Sequence, residues 1–285
     1  MRPGARSRGA LRIRDAELVW GERTYLMGIV NATPDSFSGD GTPESTQAIA
    51  RALSQAGGGA DVIDIGAEST RPGHTPVEER LELERLLPVI RGVREQLGNG
   101  SIISADTFKP AIFRAAYHAG ADILNSVWGL DDALLAAAVE CNVPVVIMHN
   151  KAVPVYEGHV VDEVIAFLDH AAARANNAGI SQDRIILDPG IGFGKLPDHN
   201  LAILSALQRI VQLGFPTLLG SSRKSTIGKV TGRQPSERTY GTAATVALAV
   251  AAGIDIVRVH DVSEMRDVVR MSDAIVRGWR PPDWT

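Results

Sequence analysis

Eight short apolar runs recur along this chain, and each stops at or just before a polar or charged residue. MGIVN ends at Asn31, VIDIG opens onto Glu68 and Arg71, SIISAD ends at Asp106 and DILN at Asn125. VVIMH ends at His149, RIILD at Asp188, TLLGSSRK at Lys224 and DIVRVH at His260. A strand buried on both faces reads as a continuous apolar run, which is the signature of a parallel sheet. Parallel strands need crossover connections, so helices should lie between the runs.

They do. Thr42 to Ala56 is rich in Ala, Gln and Leu and closes at Gly57. Val77 to Leu97 places Leu83, Leu86, Leu87, Ile90, Val93 and Leu97 on one helical face, with Pro88 predicting a kink. Helices are also expected over Pro110 to His118, Asp131 to Glu140, His159 to Ala178, Asp198 to Gln212, Gly241 to Ala252 and Ser263 to Val276. Right-handed strand–helix–strand units repeated about eight times close most simply into a (β/α)8 TIM barrel. The rival is an open doubly wound sheet, which would concentrate its ligand at one switch point; here polar strand ends occur all along the chain. LRIRDAELVWGERTY reads as a short N-terminal β-hairpin, placed to plug the bottom of the barrel. Residues 1–23 are therefore expected to form a lead-in and hairpin, and 24–285 a single barrel domain.

Other classes are disfavoured. Net charge is −4, from 29 basic and 33 acidic residues, so no broad basic field awaits nucleic acid. No apolar stretch is long enough to span a membrane, and the basic N-terminus lacks the apolar segment of a signal peptide. Cys141, the single cysteine, precludes an internal disulfide and reads as a small buried hydrophobe. A cytoplasmic enzyme is the expectation.

In a barrel of this kind the chemistry sits at the C-terminal strand ends. Asp106 or Asp188 alone could cap a loop; both together with Asn125 at one mouth suit a flat heterocycle bearing several N–H groups. Asn31 is either a turn former or a ligand to Mg2+, which accepts few protein ligands when a phosphate supplies the rest. Ser221, Ser222, Arg223, Lys224 and Ser225 lie between the seventh run and its helix, where an anion is expected. Arg258 and His260 alternate with Val257 and Val259, so they face together either the lumen or the helices. An Arg packed against helices would be expensive, which favours the lumen. These cations read together as a site of diphosphate-like capacity. His149 reads as a satisfied structural histidine.

The blocks MGIVNATPDSFSGDG, DIGAESTRPG, SADTFKPAIFRAAYHAGADILNSVWG, ILDPGIGFGK, GSSRKSTIG and VRVHDV, in order over almost the whole chain, resemble the dihydropteroate synthase family. The resemblance implies joining of 6-hydroxymethyl-7,8-dihydropterin diphosphate to 4-aminobenzoate, giving 7,8-dihydropteroate and diphosphate, in a homodimeric enzyme that sulfonamides inhibit. It implies that Asp106, Asn125, Asp188 and Lys224 hold the pterin, and that Asn31, Arg258 and His260 hold the diphosphate with Mg2+. Thr70, Arg71 and Pro72, with Phe193, Lys224 and Ser225, would frame the aminobenzoate. Met148 and Gly220 complete the implied substrate contacts. Pterin-binding methyltransferases share the barrel and the Asp/Asn/Asp set, but not the STRPG and SRK blocks together. This chain departs from the family at SFSGDG, usually SFSDGG, and at NSVWG, usually NDVSG. The first shifts a loop carboxylate to Asp40; the second puts Ser126 and bulky Trp128 near the pterin end, and a non-catalytic pterin-binding paralogue is the reading those departures leave open.

Overall fold

A computed structural model of the chain describes residues 9–33, 44–68, 77–281, 283 and 284. Strands β1 (Ala10–Ile13) and β2 (Ala16–Val19) form the antiparallel hairpin, with Leu11 opposite Leu18. Eight parallel strands follow: β3 (Tyr25–Asn31), β4 (Val62–Gly66), β5 (Ile102–Asp106), β6 (Ile123–Ser126), β7 (Val145–Met148), β8 (Ile185–Asp188), β9 (Leu218–Leu219) and β10 (Ile256–Val259). Each pairs with its chain neighbour from β3 to β8, and β10 lies between β9 and β3. A bridge from Leu187 to Thr217, with the Leu187 N–H donating to the Pro216 carbonyl at 2.8 Å, joins β8 to the start of β9. The sheet therefore closes into the barrel read from the sequence.

The helices are α1 (Glu44–Gly58), α2 (Glu79–Leu97), α3 (Pro110–Ala119), α4 (Asp132–Glu140) and α5 (Val160–Asn177). Then come α6 (Pro197–Ser205), α7 (Leu207–Val211), α8 (Ser225–Thr231), α9 (Thr239–Ala252) and α10 (Val262–Val276). Most lie within two residues of expectation; Thr42, the expected start of the first, lies outside the described residues. One expected helix, Asp198 to Gln212, is divided at Ala206. There the Ser205 hydroxyl donates back to the Ala202 carbonyl at 2.8 Å, and Ala206 leaves helical geometry with φ −112° and ψ 15°. Ser in this back-bonding arrangement competes with the helical ladder. Pro88 sits inside α2, which runs unbroken.

Two cores result from the period-2 alternation of the strands. Outward residues such as Ile63, Ile65, Ile103, Leu124, Ile147, Leu187 and Val257 pack on the helices, where Leu86, Ile90, Val93 and Leu168 meet them. Inward residues Met27, Val62, Ile102, Ile123, Val146, Ile186, Leu218 and Ile256, one from each strand, form a separate floor. The hairpin covers that floor with Leu11, Ile13, Leu18 and Trp20. It is a plug, each buried side chain contributing on the order of 2 kcal/mol. Cys141 is buried, and no described helix is long and apolar enough to cross a membrane.

Candidate active site at the barrel mouth

Two residues above the floor, the same faces of the strands carry Ile29, Asp64, Ser104, Asn125, Met148, Asp188, Gly220 and Arg258. Side chains two apart on a strand share a face about 7 Å apart, so the lumen turns from apolar to polar within one layer. Contacts between strands that are not neighbours confirm that these groups meet across it. From β6, the Asn125 Nδ2 donates to both Asp64 carboxylate oxygens on β4, at 3.2 and 3.1 Å. From β10, the Arg258 Nε donates to Asp64 at 2.6 Å, and its Nη2 donates to Asp106 at 3.0 Å. Arg258 therefore faces the lumen, and the outward alternative is excluded.

Asp106 ends β5 in register with Gly66 on one side and Asn125 on the other. One of its oxygens is held by Arg258; the other, Oδ1, is buried and has no partner among the described residues. Burial pushes the Asp106 carboxyl up to about 7, the Asp64 charge adding and the Arg258 charge opposing. Asp188, ending β8, accepts the Gly190 N–H at 2.7 Å, and burial pushes it up to about 6. Gly220 lies beside Asp188 and Arg258: a Cβ there would lie 3.8 Å from the Asp188 Oδ2 and 3.9 Å from the Arg258 Cβ. Two buried acids near their midpoints are poised to take a donor-rich ligand.

An apolar wall adjoins the acids. Met148, Val127 and Phe193 form one small buried cluster, and the Lys224 Nζ lies 3.9 Å from the Phe193 ring centre. This is cation–π geometry that fixes a charge beside a flat surface. Val127 enters the cluster, whereas Trp128 is more than a third exposed. Ser126 is fully buried, and its hydroxyl closes a turn onto the Gly129 carbonyl. The NSVWG departure thus has a local structural use.

The anion site is less cationic than its sequence implies. Arg223 makes a two-pronged pair with Asp261, and Arg258 is engaged by two carboxylates. His260 pairs through Nδ1 with the Ser222 hydroxyl at 3.0 Å, and burial with the neighbouring Arg258 and Arg223 charges pushes it down to about 4. That leaves a neutral imidazole at neutral pH. Arg223, read from the sequence as part of the anion site, has Asp261 across from it, a pairing invisible in the SSRKS spacing. Lys224 precedes α8, and Ser225 is its exposed first residue.

Asn31 closes β3 in register with Gly66, half-buried at the rim. Among the described residues no group of three or more His, Cys, Asp or Glu gathers to hold a metal. Thr70, Arg71 and Pro72 lie outside the described residues, as does Asp40. The Lys109 Nζ joins Glu68 and Glu82, each at 2.7 Å, and the Val77 carbonyl at 2.6 Å.

Two residues of this end were missed by sequence reading. Asp64 sits mid-run in VIDIG, where a polar interruption is easily passed over, although alternation from Val62 places it in the lumen. Lys195 follows the last glycine of DPGIGFGK and binds His149, the strand-end residue that had no functional assignment. His149 is buried and satisfied, as expected.

A closed barrel with a polar mouth, paired acids, a flat apolar wall and nearby cations defines an enzyme for a flat heterocyclic substrate with an anionic partner. The family model described as pterin binding enzyme matches residues 27–260. The dihydropteroate synthase of Synechocystis sp. is 42% identical over 271 residues, covering 92% of each chain. Xanthomonas albilineans dihydropteroate synthase solved with 4-aminobenzoic acid superposes with a TM-score of 0.90 at 41% identity, covering 97% of this chain and 100% of that one. The same enzyme in complex with 7,8-dihydropteroate gives 0.87 at 40% identity, covering 95% and 100%. The chain belongs to the pterin-binding enzyme family and, within it, to the dihydropteroate synthases.

Proposed function

We propose that the polar layer of the barrel mouth is where the family reaction takes place. The chain is a transferase that joins 6-hydroxymethyl-7,8-dihydropterin diphosphate to 4-aminobenzoate, releasing diphosphate in folate biosynthesis. The corrinoid methyltransferase reading is disfavoured by relatives that are synthases by name over nine-tenths of the chain. The observation that carries the site assignment is Asp106, one oxygen gripped by Arg258 and the other buried without a partner among the described residues. A buried acceptor of this kind costs free energy until a donor reaches it.

In this reading the pterin edge donates to Asp106 and Asp188, Asn125 supplies the carboxamide, and Met148 and Val127 bound the ring. Lys224 and Phe193 stand between pterin and aminobenzoate, whose carboxylate meets Ser225; the family resemblance assigns Thr70, Arg71 and Pro72, which lie outside the described residues, to the same pocket. Arg258 and His260 receive the diphosphate. Asn31 offers one hard oxygen, which fits Mg2+ when phosphate and water supply the remaining ligands. When bound, the ion would neutralise charge on the leaving group.

The methylene–oxygen bond breaks with its electron pair going to diphosphate. The amine lone pair forms the new C–N bond, and the surplus proton passes to diphosphate or solvent. An arylamine is already neutral near pH 7, so no strong general base is required. Ionised Asp106 and Asp188 stabilise positive charge on the pterin as the bond breaks. The displacement is therefore SN1-like and ordered, pterin diphosphate first. The test is Mg2+-dependent diphosphate release with and without 4-aminobenzoate, and its inhibition by a sulfonamide that mimics the amine. Release that ignores 4-aminobenzoate and Mg2+ sinks the reading. Positional isotope exchange in the bound diphosphate reports the cation-like step.

The protein is proposed to act in the cytoplasm as a homodimer. Leu248 on α9 and Met271 and Ile275 on α10 are each more than 60% exposed, and the two helices pack together. An apolar face of this kind is expected to be covered by a second copy. Light scattering of Leu248→Glu with Ile275→Glu, expected to be monomeric, checks it.

A further inference from the structure

We infer that Lys195 is a positioning residue for the reaction: its ammonium pins the turn carrying Phe193 to the end of β7, and thereby sets the wall on which the aromatic amine docks. This rests on the proposed placement of Phe193 and Lys224 between the two substrates.

The turn after Asp188 is built on Gly190, Gly192 and Gly194, all with positive φ (70°, 82° and 57°). A Cβ at Gly190 would come within 2.0 Å of the His149 carbonyl oxygen, and one at Gly194 within 2.1 Å of the Lys151 carbonyl oxygen. The backbone therefore lies flush on the segment that follows β7. Three glycines give such a turn much freedom to lose, so its position must be held by specific bonds.

Lys195 supplies them. Its Nζ lies 2.8 Å from the His149 Nδ1, 3.2 Å from the His149 carbonyl, 2.9 Å from that of Gly190 and 3.0 Å from that of Phe193. The opposite side of the turn is tied down by the Gly192 N–H donating to the Asn200 Oδ1 at 2.8 Å. The Asn200 Nδ2 in turn donates to the Thr226 Oγ1 at 3.0 Å, on α8. Phe193 hangs between these two anchors, against Val127 and Met148 and beside Lys224.

Among the described residues, the four partners of this buried ammonium are all neutral acceptors. A lysine desolvated without a carboxylate in contact is a costly arrangement, expected where geometry matters more than stability. His149 is pushed down to about 3 by burial and by the Lys195 and Lys151 charges, so its ring is neutral and Nδ1 accepts. Burial pushes Lys195 itself down to about 7. The facing charges are Asp188 on β8, which favours the ammonium, and Lys224 and Lys151, which oppose it. Glu163 on α5 pairs with Lys151, and the Tyr156 ring stacks on His149. An ammonium has three N–H donors; the neutral amine has two and turns a lone pair toward the oxygens. The pin therefore weakens as pH rises through about 7.

The test is bisubstrate kinetics from about pH 6 to about pH 9 on the wild type and Lys195→Met, which keeps the stem and removes the donors. The expected result is a KM for 4-aminobenzoate raised about tenfold in Lys195→Met, with affinity for the pterin diphosphate changed less than about twofold. The wild-type rise in KM above pH 7 should vanish in the variant. NMR of the Lys195 15Nζ, which needs no turnover, should show titration near 7 in step with that rise. Unchanged KM and pH profile in Lys195→Met, equal losses toward both substrates, or a 15Nζ titration near the ordinary lysine value each overturn the inference. Absence of diphosphate release by the wild type would instead overturn the functional reading, leaving the NMR titration to judge the pin.

Discussion

The floor and the mouth of the lumen are built on the same eight strands and the same strand faces, two residues apart. At the floor, Val62, Ile102, Ile123, Ile186 and Ile256 meet the hairpin's Leu11, Leu18 and Trp20, and water is excluded from an apolar core. One layer up, the corresponding residues are Asp64, Ser104, Asn125, Asp188 and Arg258. The floor needs no partner beyond shape. The mouth holds three buried carboxylates against one arginine, an arrangement that is expensive until it is matched. Stability and chemistry are therefore separated along the strand axis, and each end has mutations that should leave the other untouched.

The sharpest break of this division is expected at Lys224. Lys224→Ala removes the charge beside Phe193 and should lower kcat/KM about a thousandfold, roughly 4 kcal/mol of transition-state stabilisation. Its thermal midpoint should stay near that of the parent, since no floor residue is touched. A variant with near-normal rate would undo the site assignment.

Asp64→Ala probes a mouth residue that joins β4, β6 and β10. It leaves Arg258 with a single carboxylate and Asn125 without its acceptor, so a stability loss of about 3 kcal/mol is expected, together with lost activity. Asp64→Asn keeps the shape and should recover part of the stability but little of the rate. Denaturant midpoints beside initial rates separate the two effects; recovery of full rate in Asp64→Asn would show that its charge is dispensable.

Asp64 also shows where the sequence ceases to be legible. The barrel, the hairpin and the strand-end acids Asp106 and Asp188 follow from apolar runs and where they stop, because burial on both faces leaves only the ends polar. A charge inside a run breaks that rule, and its meaning depends on Arg258, 194 residues away. The pairing of Arg223 with Asp261 is equally non-local, which is why a basic SSRKS cluster reads as more available to an anion than it is. Lys195 is hidden for another reason: its partners are backbone carbonyls and a histidine, which carry no motif. Spacing reveals residues whose position follows from the fold, and it is silent on which of them neutralise one another.

At the floor the expected effect is moderate and purely structural. Leu18→Ala empties a site in the hairpin that is 3% exposed and should cost about 3 kcal/mol, cavity included. Neither KM should move once the variant is assayed well below its melting temperature. A raised KM for either substrate would mean that the floor and mouth are coupled through the strands, and the separation would fail.

The smallest effect is the most telling about the mouth, because it concerns protons. Asp106 and Asp188 have folded-state values raised to about 7 and about 6, against an ordinary carboxyl near 4. Between pH 4 and 7 the folded protein therefore binds more protons than the unfolded chain, and these two groups make the free protein less stable as pH rises through that window. A donor-rich pterin reverses the preference, since it pairs best with both acids ionised. Pterin binding should thus release protons near pH 6, and its dissociation constant should fall about tenfold between pH 6 and 7, levelling above about pH 8. Calorimetric titration in buffers of different ionisation enthalpy measures the protons directly. In Asp106→Asn the release should shrink toward the Asp188 contribution alone. Proton uptake on binding, or a pH-independent affinity, would mean that the pterin takes the acids in their neutral form and that the mouth is matched to a different face of the ring.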